Sequence, residues 1–116
     1  MLNVITISGN LGADPEIRYD SDGNTIATLN LAFSCGKDKT GWIQVTAFRK
    51  LGDVVQQYLH KGAKIAVSGR LVQDSWETDS GEKRSKLQII AQSIEFIKVN
   101  KQPKEGESQN DDDLPF

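Results

Sequence analysis

At 116 residues, 37% of them hydrophobic, the chain has room for one domain near the lower size limit for independent folding. The opening "MLNVITISGN" turns polar within a few residues and no apolar run approaches the ~20 needed to cross a bilayer, so neither a leader nor a span is expected and the protein is read as cytoplasmic. A single cysteine, Cys35, and a single histidine, His60, exclude an internal disulfide and leave too few soft ligands for a zinc site.

The net charge of −2 is unevenly spread. Up to Lys98 there are 12 Lys/Arg against 11 Asp/Glu, and beyond it 2 against 5, so the body stands at +1 and the remainder at −3. A body this close to neutral gives no sign of a polyanionic partner through its sum, and only the placement of its cations can do so.

In chain order, "NVITISGN" alternates, with Asn3, Ile5 and Ile7 on one side and Val4, Thr6 and Ser8 on the other. The segment "GADPEIRYDSDGN" carries turn chemistry at Asp14-Pro15 and at Asp22-Gly23-Asn24. "TIATLNLAF" then sets Ala27, Leu29, Leu31 and Phe33 on one face, with Thr28, Asn30 and Ala32 opposite, the pattern of a half-buried strand. "SCGKDKTG" reads as a polar loop before "WIQVTAF" resumes the alternation. At Leu51, Val54, Val55, Tyr58 and Leu59 the period changes to that of a helix face, which Gly62 ends. "KIAVSGRLV" returns to period two, with Gly69 marking a bulge or sharp bend. After the polar turn "DSWETDSGEKR", "KLQIIAQSIEFIK" supplies the last strand. From Val99 the composition becomes polar, with Pro and Gly, and too little apolar surface remains to offset the entropy of ordering, so residues 99–110 are expected to be a disordered linker.

Three strands, one helix and two strands, with glycines where strands must bend, predict an all-β domain over residues 1–98: a five-stranded OB-fold barrel with its helix between strands 3 and 4. An SH3-like or other small barrel shares much of this pattern.

On "WIQVTAF" the aliphatic side is Ile43, Val45 and Ala47, which leaves Trp42 and Phe48 beside Gln44 and Thr46. Rings on a polar strand face stack nucleic-acid bases, or cover a barrel end or subunit contact; Trp76, in a polar hairpin, favours stacking. Cations are interleaved with these rings. Lys37 and Lys39 precede Trp42, Arg49 and Lys50 follow Phe48, and Lys83, Arg84 and Lys86 lie across the hairpin from Trp76. A groove for a flexible strand needs that combination, rings for bases and cations for phosphates. Lys61 and Lys64, near the helix end, suit a structural or merely exposed role.

Enzymatic readings find little support. There is no phosphate-binding glycine loop and no paired-histidine motif, and Cys35 and His60 have no third partner for nucleophilic chemistry. The run Asp111, Asp112 and Asp113 lacks the fixed geometry Mg²⁺ prefers, so neither cofactor nor metal is expected.

"GNLGADPEIRY", the Trp42-to-Phe48 strand, "YLHKG", "VSGRL", the "WETDSGEKR" hairpin and the terminal "DDDLPF" together resemble the bacterial single-stranded DNA-binding protein (SSB) family. The resemblance implies a homotetrameric OB-fold without catalytic activity. It further implies a protein that coats single-stranded DNA irrespective of sequence at the nucleoid and recruits replication, recombination and repair proteins through the tip Asp111, Asp112, Asp113, Leu114, Pro115 and Phe116. It also implies that Trp42, Phe48 and Trp76 stack bases and that Lys50 and Lys61 lie along the DNA path. The sequence departs from the family pattern in four places: the loop at 34–41 is short and lacks a tryptophan, Ile43 stands where histidine is common, Asp74 stands where many members are basic, and the linker is brief. The alternative function is an OB-fold replication-restart adaptor that chiefly binds proteins, although an adaptor is expected to receive an acidic tip rather than display one.

Overall fold

The computed structural model describes residues 1–98; the expected linker at 99–110 and acidic tip at 111–116 lie outside them. Six strands and one helix follow one another as β1 (Ile5–Leu11), β2 (Glu16–Tyr19), β3 (Thr25–Gly36), β4 (Lys39–Phe48), α1 (Lys50–Tyr58), β5 (Lys64–Glu77) and β6 (Lys83–Lys98). Antiparallel pairing joins β1 to β5, β5 to β6 and β4 to β3, while β6 meets β4 in parallel. Asn10↔Ala32 and Leu11↔Leu31 return β3 to β1 and close the ring. Closure removes the free edges a five-stranded sheet would otherwise expose. Five strands in this circuit, with the helix between the third and fourth, are the predicted OB-fold arrangement.

The alternation read from the sequence faces inward as expected. Ala27, Leu29 and Leu31 of β3 and Val45 and Ala47 of β4 are fully buried, joined by Ile65 and Val67 of β5 and Ile89 of β6. Val55 of α1, together with Leu59 just past its end, packs on this cluster. Tyr58 stays exposed, with its ring centroid 6.1 Å from that of Phe96. The helix ends at Tyr58 rather than at Gly62, because Leu59 is already extended. Gly62, with φ +91°, instead turns the chain into β5 while its N–H donates to the Leu11 carbonyl at 2.9 Å. At Gly69 the register shifts as expected: Ser68 pairs with Ser93 and Gly69 with Ala91, so Gln92 bulges out of β6. A Cβ on Gly69 would lie 2.1 Å from the Ile90 carbonyl oxygen, so the bend needs glycine for proximity.

Three segments read as turn or loop, around 12–24, 34–41 and 74–84, are partly strand instead. Glu16–Tyr19 forms β2, a short flange paired with Thr25–Thr28 of β3 outside the barrel circuit. The turn chemistry after it is as predicted: one Asp20 carboxylate oxygen accepts the N–H groups of Asp22 and Asn24, each at 2.9 Å. The polar segment 34–41 contains only a two-residue turn, Lys37-Asp38, because β3 runs on to Gly36 and β4 begins at Lys39. Its strands project past the core as a hairpin arm, where cross-strand bonds rather than burial hold them, so no apolar alternation marks them. β5 and β6 project likewise, as far as the Glu77↔Lys83 pair. No helix among the described residues is long and apolar enough to cross a membrane.

Candidate nucleic-acid interface

Because successive residues of a strand point to opposite sides, burying Val45 and Ala47 turns Trp42, Gln44, Thr46 and Phe48 outward. Trp42 is 62% exposed and Phe48 43%. The parallel pair Gln44↔Gln88 carries this outer surface onto β6, where Lys86 and Arg84 follow on the same side. Cross-strand pairing then carries it to β5, since Asp74 is opposite Lys86 and Trp76, 48% exposed, is opposite Arg84. The three rings assigned from the sequence therefore share one continuous sheet face.

A polar hub joins the strands at its centre. Gln88 Oε1 accepts the Thr46 hydroxyl at 2.7 Å and the Gln44 amide N–H at 3.2 Å, while Gln88 Nε2 donates to Asp74 Oδ2 at 2.7 Å. Thr46 is buried although it points outward. Gln88 was not singled out in the sequence; its only signal is a polar residue on the outer stripe of an otherwise apolar run.

Trp42 has a backbone seat. A Cβ on Gly12 would lie 2.4 Å from Cζ3 and 2.7 Å from Cη2 of the indole, so the ring lies directly over the glycine. The Gly12 N–H donates to the Asn30 carbonyl at 3.0 Å. The loop it begins is tied to the α1–β5 connection, where Asp14 Oδ1 accepts the Lys61 N–H at 2.8 Å. Lys61 is thus linked through that loop to the Trp42 end of the face.

The remaining cations divide. Lys86 lines a shallow groove with Trp42, Gln44, Asn30 and Leu87. Arg84 faces Trp76 and forms an exposed ion pair with Glu82 at 3.0 Å, of the kind worth little in water. Lys83 pairs with Glu77, which sets it on the opposite side of the hairpin from Trp76 and Arg84. Lys37 is in the turn of the β3–β4 arm, and Lys39 lines a second groove with Asn10 and half-buried Phe33. Arg49 and Lys50 follow Phe48 at the start of α1, where the Thr25 hydroxyl donates to Asp53 Oδ1. Arg49 has φ +60° and ψ −126°, a conformation disfavoured for any side chain but glycine's. Its charge reaches the β2–β3 turn: the Asn24 backbone N–H above all, then the Asn24 side chain, the Asp22 N–H and Arg49, hold the Asp20 carboxyl below its usual range. Among the described residues no cluster of His, Cys, Asp and Glu could hold a metal ion, and the Asp111–Asp113 run lies outside them.

The model of the single-strand binding protein family matches residues 2–97. The chain belongs to that family. Among relatives of the single-strand binding protein family, it is 34% identical over 124 residues to single-stranded DNA-binding protein 1 of Xylella fastidiosa, covering 98% of this chain and 91% of that protein. It is 37% identical over 105 residues to the single-stranded DNA-binding protein of Helicobacter hepaticus and 34% identical over 105 residues to that of Wolinella succinogenes. The matches span 62% and 65% of those two longer proteins. A Plasmodium falciparum SSB solved in complex with ssDNA superimposes with a TM-score of 0.75 at 27% identity, covering 84% of this chain and 96% of that one.

Proposed function

We propose that the chain is a sequence-independent single-stranded DNA-binding protein, a binding protein and not an enzyme, that coats and protects single strands at the nucleoid. The observation that carries this reading is the single outer face holding Trp42, Phe48 and Trp76 around a polar hub, with Lys86 and Arg84 on the same surface. Exposed rings offer a π-face to any base, and the cations offer counter-charge to phosphate without reading sequence. Kinship with proteins named for this activity supports it. Lys37, Lys39, Arg49, Lys50 and Lys61 extend the track from the arm, the helix start and the Gly12 loop, and Lys83 serves the far side of the hairpin. Fluorescence anisotropy with oligo(dT) tests the reading: Trp42→Ala and Trp76→Ala should each weaken binding by ~1 to 3 kcal/mol, about 5- to 150-fold, with little dependence on base identity. Folded single variants that bind as tightly as the parent make the rings structural.

The assembly in this reading is a homotetramer. Leu2 and Val4, strongly exposed beside β1, and Leu87, exposed at the start of the β6 arm, offer the apolar surface that subunit contacts would cover. Sedimentation equilibrium showing only monomer at micromolar concentration overturns it. The tip Asp111–Phe116 recruits replication, recombination and repair proteins: the Phe116 ring enters an apolar pocket beside a basic residue, and the three aspartates steer the encounter. Phe116→Ala should abolish pull-down of such partners while leaving DNA affinity intact.

A further inference from the structure

Among the outward residues of β4, of Val72–Trp76 in β5 and of Arg84–Ile90 in β6, Asp74 is the only acid. Its position is fixed rather than incidental. Oδ2 takes the Gln88 amide at 2.7 Å, and a carboxylate can only accept, so it dictates which end of the Gln88 amide turns toward Thr46 and Gln44. Lys86 stands opposite in register, yet the single ion pair among the described residues is Arg84 to Glu82, so no bonded cation neutralises the Asp74 charge. The charge lies within the hub, two residues along β5 from Trp76, on the surface a single strand would cross.

We propose that Asp74 is an affinity-limiting residue: a fixed negative charge on the DNA-binding face that weakens the hold on phosphate and keeps the bound strand exchangeable. The inference rests on the function proposed above. It accounts for an acid built into the hub of a face whose other charged members are cations. Repulsion across solvent-exposed distances of several ångströms is modest and screened by salt, which sets both the size and the signature of the effect.

Asp74→Asn removes the charge and keeps an acceptor for Gln88, so it isolates electrostatics from the network. Binding to a short oligo(dT), followed by anisotropy at 20 mM and 300 mM salt, should tighten about two- to fivefold at the lower salt, with most of the gain lost at the higher. Asp74→Lys should tighten binding further and steepen the log K against log[salt] slope by about 0.7 for the added phosphate contact. Glu95→Gln, on β6 opposite Ala66, removes the same charge away from the rings and should leave affinity unchanged. If folded Asp74→Asn binds no more tightly at low salt, or if Glu95→Gln tightens binding equally, the proposal fails while the DNA-binding reading stands. A parent protein that does not bind oligo(dT) overturns both.

Discussion

Gly12→Ala separates the seating of a ring from the stability of the fold. A methyl group at that position would meet the Trp42 indole at 2.4 and 2.7 Å, where carbon atoms rest at about 3.5 to 4.0 Å, so the far edge of the ring must retreat by about 1 Å or more. Trp42 is 62% exposed and can rotate outward without opening the core, and the Gly12 N–H can keep its bond to Asn30. The stability cost should therefore stay below about 1 kcal/mol. DNA affinity should fall about three- to tenfold, a fraction of what one stacked base contributes, because the ring loses the position the backbone sets for it. Gly9→Ala is the contrast. Its Cβ would lie 2.1 Å from the Ala32 carbonyl oxygen, main chain at the closure of the barrel, where nothing can rotate aside, and the cost should reach about 2 to 3 kcal/mol or more. Urea unfolding followed by far-ultraviolet circular dichroism gives the first quantity and oligo(dT) anisotropy the second. A Gly12→Ala protein as unstable as Gly9→Ala, or one that binds DNA like the parent while Trp42→Ala does not, refutes the seat.

Arg49→Gly should raise the melting temperature, since a non-glycine residue at φ +60°, ψ −126° carries strain on the order of 1 to 3 kcal/mol, and should at the same time weaken DNA binding and flatten its salt dependence; a lower melting temperature contradicts the strain. Asp20→Asn should lower the melting temperature at neutral pH. The folded Asp20 carboxyl titrates below its ordinary 3.8, so its contribution is fully present above that value and is lost as pH falls through the lowered one. Parent and variant melting temperatures should accordingly converge in acid, and a difference constant from pH 6 down to pH 2.5 contradicts the assignment.

Local pattern was enough for much of this molecule. The alternation of Ala27, Leu29 and Leu31 and of Val45 and Ala47 set the inner faces, and with them the outward turn of Trp42 and Phe48, because a strand has only two sides. The helical spacing around Val55 placed α1, and the ordered motifs placed the chain in its family. Tertiary structure decided what depends on which strand lies alongside. β2 exists because β3 offers an edge beside it, and the polar arms hold as strands through pairing alone, where no burial imprints a period. The Thr46–Gln88 and Asp74–Gln88 bonds join residues 42 and 14 apart, and the Gly12 seat exists only once β1 and β4 have both paired with β3, which brings the residue after β1 beside Trp42. Periodicity records which side of a strand is buried; it carries no record of which strand lies next to it, and the neighbour determines where the rings rest and where the acid sits.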